Sequence, residues 1–229
     1  MVSLMKEKKS EDIVDETKKE TEKPDHWVGM DYRIAAKKPY FYGALFCIFI
    51  TGMILQGLIG VAAPLMYDTG LHETYVAIVL SAHSLALTFC KFGVEFMYDH
   101  MGLRKTTNVC FVAAISATIM LACITNSFSG QIVAMVYGVI SALALPLETV
   151  MITIYASDLF GEKSFNKILG VFVSVNVTGY ALGAPLYNIC YDLLGSYHIA
   201  LYLSAALMAV VFVVMQIVIK SARKARSEM

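Results

Sequence analysis

Lys91 and Glu95 stand one helical turn apart inside TYVAIVLSAHSLALTFCKFGVEFMYDHMGLRK (Thr74 to Lys105), an apolar run long enough to cross a bilayer. At helical spacing Ser81, Ser84, Thr88, Lys91 and Glu95 fall three, four, three and four apart, which places them on one face. Val79, Leu80, Leu85, Leu87 and Phe89 occupy the other faces. A charge facing lipid at depth costs roughly 2.5–3.5 kcal/mol or more, so the stripe must face protein or water. Helical side chains lean toward their own N-terminus. In a helix running inward, that lean carries the Lys91 ammonium toward the bilayer middle. Two readings stay open: a structural Lys91–Glu95 pair at i, i+4, or Lys91 as the cation that meets an anionic substrate in a central cavity.

Glu148 lies in ALALPLETVMITIY, just after Pro146. Proline removes a backbone donor and leaves the Ala142 carbonyl without its helical partner, and such breaks are tolerated only against protein or a wet cavity. A membrane carboxylate with no base beside it in sequence is a candidate proton carrier or substrate group, with a hydrogen-bonded packing role as the alternative. Glu95 and His83 are further proton-coupling candidates; the offset of His83 from the stripe favours a hydrogen-bonded packing histidine over a titrating one. Ser84, Thr88, Gln56, Asn176 and Tyr180 are the polar candidates for substrate binding beside Lys91. Asn176 and Tyr180 flank Gly179-xxx-Gly183, a spacing that suits close helix packing, cavity lining or both. The sequon Asn176-Val177-Thr178 is mid-span, out of reach of a glycosyltransferase. Tyr98 to Lys105 forms a short charged turn in which Asp99 is placed to bond Arg104 or a helix N-terminus, Gly102 permits the reversal, and Lys105 adds a second base. The five cysteines sit singly in apolar stretches or at their ends, with no CxxC and no His at ligand spacing, so neither a metal nor a cofactor is implied. No GxSG, GxGD or HExxH occurs in a span, which argues against an enzyme.

These residues need a membrane scaffold. With 58% hydrophobic residues, 16% charged and a mean hydropathy of +0.64, the chain is an integral membrane protein rather than a soluble domain. Residues 1–38 hold nine of the eighteen Lys+Arg and nine of the eighteen Asp+Glu, which reads as a mostly disordered segment with a short interfacial helix within Trp27 to Ala36. The balanced charge makes nucleic acid an unlikely partner. A transmembrane domain over 39–220 carries six apolar stretches, about Tyr40–Ala63, Thr74–Met97, Thr106–Thr125, Gly130–Ile154, Ile168–Cys190 and His198–Ile219, ahead of a basic tail over 221–229. Arg33, Lys37, Lys38, Arg104, Lys105, Lys163, Lys167 and the basic tail all fall on one side, whereas the three alternate loops hold no Lys or Arg. Both termini are therefore expected in the cytoplasm, with the chain in the plasma (inner) membrane. The third and sixth spans lack internal charge and suit the lipid-facing periphery. That pattern predicts an all-α architecture of two three-helix inverted repeats, with spans one, two, four and five inside.

The turn resembles the major facilitator superfamily, whose corresponding turn reads G-x-x-x-D-R-x-G-R-R/K: Asp99, Gly102, Arg104 and Lys105 match, while Glu95, His100 and Leu103 depart from it. SDLFGEKSFNKILG followed by GAPLYNICYDLLGSYHIA is similar to helices ten to twelve of monocarboxylate-transporter and oxalate/formate-antiporter relatives, and DYRIAAKKPYFYGALF resembles the loop entering helix seven. The resemblance runs from about Met30 to the C-terminus and implies the C-terminal half of a twelve-helix transporter for a small organic anion, symport or antiport. In such relatives a basic residue on helix eight meets the substrate carboxylate, and Lys91 stands at the comparable place. A lysine on helix eleven, expected for oxalate transport, is missing. Half a fold implies a partner, either a separate N-terminal half or a second copy. The alternative is a truncated or accessory membrane protein without transport of its own.

Overall fold

The computed structural model describes residues 29–227, and all their regular elements are helical. Most of the charged segment expected over 1–38 lies outside the described residues, Trp27 included. Six helices are long and apolar enough to cross a membrane: Pro39–Asp68, Glu73–Met101, Leu103–Ala122, Phe128–Phe160, Phe165–Leu194 and His198–Arg226. They are called here the first to sixth spans. Most of them outrun the apolar stretches, because a helix continues past the hydrocarbon layer until a cap or turn stops it. Pro39 starts the first span at a position that needs no backbone donor. His72 caps the second through its ring nitrogen and Ser127 the fourth through its hydroxyl. The sixth helix runs on to Ser227, so residues 221–227 of the basic tail continue that helix.

Packing follows one rule of exchange. The first span lies along the fifth and the second along the fourth; the third meets the fourth, and the first meets the sixth. Swapping spans one to three with four to six turns each of these pairs into its counterpart, and the third–sixth contact maps onto itself. A unit of three spans ends on the side opposite to where it began, so its second copy is inverted. The chain is thus two three-helix inverted repeats, the all-α architecture expected.

Glycine sets how closely the first and fifth spans approach. Gly179 meets the backbone at Phe49 and Met53, and Gly183 meets Met53 and Gly57; a methyl group at either would run into main chain. On the other side of the fifth span, Gly170, Ser174 and Thr178 are exposed. The fifth span therefore packs with one face and leaves a polar face open.

At the end that carries both described termini, Tyr40, Phe41, Phe160 and Phe172 form an aromatic knot between the first, fourth and fifth spans, with ring centroids 5.5–5.8 Å apart. The expected interfacial helix is a short one, Tyr32–Ala35, docked on this knot. Met30 N–H donates to the Phe160 carbonyl at 2.9 Å and Tyr32 N–H to Ser164 Oγ at 3.0 Å. Ala35 is fully buried, so this segment is fixed to protein.

Of the two spans expected at the periphery, the sixth is 33% buried over its apolar window, but the third is well covered. The apolar window of the third span is 56% buried, against 11% for the second and 28% for the fifth. The third span has small residues (Ala113, Ala114, Ala117) that let it sit between the fourth and sixth, whereas the second and fifth turn broad faces away from the other four.

Candidate functional site

The fourth span breaks where Pro146 predicts. Its first helix stops at Ala144, the chain tightens into a 3₁₀ turn over Leu145–Glu148, and helix resumes at Val150 after Thr149 (φ −121°, ψ −73°). The Glu148 carbonyl falls between the two helical segments. Two side chains of the fifth span take it: Asn176 Nδ2 donates at 3.1 Å and the Tyr180 hydroxyl at 3.1 Å. Glu148 is 6% exposed and Asn176 4%, yet Glu148 Oε2 and Asn176 Oδ1 each lack a hydrogen-bond partner. A buried acceptor left unpaired costs about 1–3 kcal/mol, so two in one cluster mark a place built for something other than stability.

Lys91, half-buried on the second span, is the cation whose charge is felt at the Glu148 carboxyl, at a distance beyond ion-pair contact. Folding thus brings together Lys91, Glu148, Asn176 and Tyr180 from three spans. Among the described residues Lys91 and Glu95 make no ion pair with each other, and Glu95 is exposed. Ser84 and Thr88 lie on the same uncovered face, their hydroxyls donating to the Leu80 and Ser84 carbonyls at 3.0 and 3.3 Å. Gln56 is half-buried on the first span. His83 sits apart: its Nδ1 lies 3.0 Å from the Gly138 carbonyl and 2.8 Å from Ser141 Oγ, which ties the second span to the fourth.

Of the two expected roles of Asp99, a bond to Arg104 or to a helix N-terminus, the first is not formed, since Arg104 turns elsewhere. Arg104 Nε donates to Gln216 Oε1 at 3.1 Å, and Gln216 Nε2 donates to Asn108 Oδ1 at 2.7 Å, because the sixth span passes beside the start of the third. Asp99 and Lys105 are exposed. Gly102, at φ +77° and ψ 166°, provides the reversal in a region essentially reserved for glycine.

One acidic residue escaped the sequence reading. Asp158, near the end of the fourth span, lies 4.0 Å from Arg223 and 3.9 Å from Arg226 of the sixth. An acid one turn from the end of a span and a basic tail were the available signals, but nothing in the sequence pairs them.

The cluster offers one buried acid, one neighbouring cation and amide and phenol groups, with no nucleophile–base pair. Such a set can hold and release a proton and attract an anion. A search of the curated proteins gives no match. The family model described as Major Facilitator Superfamily matches residues 44–228, a stretch that begins in the first span and ends beyond the sixth. Members of that family are multi-pass membrane transporters rather than enzymes, and they move small-molecule substrates. A match over that length, on six membrane-long helices in two inverted triplets, means that the chain belongs to the Major Facilitator Superfamily of secondary transporters.

Proposed function

We propose that the chain works as the C-terminal half of a secondary transporter for a small organic anion of the monocarboxylate kind, beside a second six-helix unit. The observation that carries this reading is the buried, partly unpaired Glu148 carboxyl beside Lys91 at a break in the fourth span. Lys91 meets the substrate carboxylate, with Ser84, Thr88 and Gln56 supplying polar contacts, and Glu148 carries a coupled proton. The exposed Ser81, Ser84, Thr88 and Glu95 support a second unit, since polar groups on a span do not face acyl chains. That unit is a separate N-terminal half or a second copy. Alternating access then comes from rocking of the two units about the site. The one-sided distribution of Lys and Arg supports cytoplasmic termini, and the membrane we assign is the plasma (inner) membrane.

The test is reconstitution of the full chain, with whatever membrane partner co-purifies, and uptake of labelled lactate under an imposed proton gradient. Saturable uptake by an assembly larger than the monomer is the expected result. A monomer with no uptake of lactate, formate or acetate favours the second reading, an accessory protein without transport of its own. The largely uncovered second span gives that reading its support, because one chain by itself does not enclose a path.

A further inference from the structure

Asn176 and Tyr180 were candidates for substrate contact on sequence grounds, but each spends a donor inside the protein, across to another span. Both point at one atom, the Glu148 carbonyl oxygen released by the break in the fourth span. A third element fixes Asn176 from behind. Gly52 of the first span leaves the space that the Asn176 amide fills, and a side chain at 52 would collide with Asn176 Oδ1 and crowd the Tyr180 ring. The turn that holds Glu148 also touches the second and third spans and the two helical pieces of its own span. Among the described residues the charged and titratable groups that act on Glu148 are Lys91 from the second span and Tyr180 from the fifth; the first and third spans and the flanking pieces of the fourth add none.

We propose that Asn176 and Tyr180 are positioning residues: by gripping the Glu148 backbone carbonyl they hold its carboxyl beside Lys91, and they do not bind the substrate. This rests on Glu148 being the coupling carboxyl. A carboxyl on a broken helix segment has no ladder of its own to fix it, since Leu145–Glu148 is a four-residue 3₁₀ turn with a proline in it. The two side-chain bonds replace the missing helical bond and set the distance of the carboxyl from the ammonium, and with it the proton affinity that a coupled cycle needs.

The test follows the carboxyl C=O band of Glu148 by infrared difference spectroscopy of the purified full chain, the band being assigned by its loss in Glu148→Gln; no substrate is required. In Tyr180→Phe and Asn176→Leu the midpoint of that band moves by about half to one pH unit, the worth of one hydrogen bond read through protonation. Gly52→Ala, which displaces Asn176 while leaving both donors chemically intact, moves it as well. Lactate KM at the pH of fastest uptake stays within about twofold. Midpoints identical to wild type with KM raised about tenfold or more would make the two residues substrate ligands and overturn the proposal. So would unchanged midpoints with only a loss of folded yield, the mark of plain packing. If Glu148→Gln leaves the spectrum intact, the coupling role of Glu148 fails together with this inference. If that band is lost but none of the three variants moves it, the inference alone fails.

Discussion

Asn176 Nδ2 lies 3.1 Å from the Glu148 carbonyl oxygen, a bond that spans 28 residues and ties the middle of the fifth span to the break in the fourth. It lies wholly within the second triplet, where a polar side chain replaces the backbone donor that a continuous helix would have supplied. The substitutions below follow from this arrangement and from the packing that holds it.

Lys91→Ala should abolish lactate uptake while membrane abundance stays at the wild-type level. Lys91 is half-buried and makes no ion pair with Glu95, so its removal leaves no partner stranded on its own helix. Quantitative immunoblotting and proteoliposome uptake check the two halves of the statement; uptake unchanged from wild type would remove Lys91 from the site.

Glu148→Gln should flatten the pH dependence of uptake. On the proposed coupling, wild-type uptake is expected to rise as the outside is acidified, and the amide can neither take nor release the proton. Any gain from acidification that survives in the variant would assign coupling to another group, with Glu95 and His83 next in line.

Gly183→Leu should cost about 1–3 kcal/mol or more, because the added side chain meets Met53 and Gly57 main chain rather than a movable neighbour. Loss of the monodisperse peak on size-exclusion chromatography after mild heating would register it. Preserved thermal resistance would mean that the first and fifth spans are not packed this closely.

Gly102→Ala tests backbone strain without crowding. Nothing lies within 4 Å of a methyl group built there, yet φ is +77° with ψ 166°. The expected loss is about 1–3 kcal/mol from the backbone alone. A variant as heat-resistant as wild type would show that the turn between the second and third spans relaxes freely.

Arg104→Ala should change little, about 0–1 kcal/mol, since its bond to Gln216 is exposed. A larger loss in the same heating assay would give the Arg104–Gln216–Asn108 chain a structural role.

What the sequence determined by itself is whatever depends on neighbours along the chain. Apolar runs of membrane length fixed six spans, and the polarity differences between them indicated two triplets. Pro146 located the break, and the spacing of Ser81, Ser84, Thr88, Lys91 and Glu95 defined a stripe, because proline sterics and helical periodicity are local properties. The tertiary structure decided which of these groups meet. That Asn176 and Tyr180 both serve one carbonyl, and that Arg104 turns to Gln216 rather than Asp99, depend on how distant helices cross. Those crossings are set by side-chain volume, above all by Gly52, Gly179 and Gly183 letting the first and fifth spans close up. Volume matched across 100 residues and more of sequence leaves no periodic trace in either partner, so it becomes readable only when both helices stand side by side.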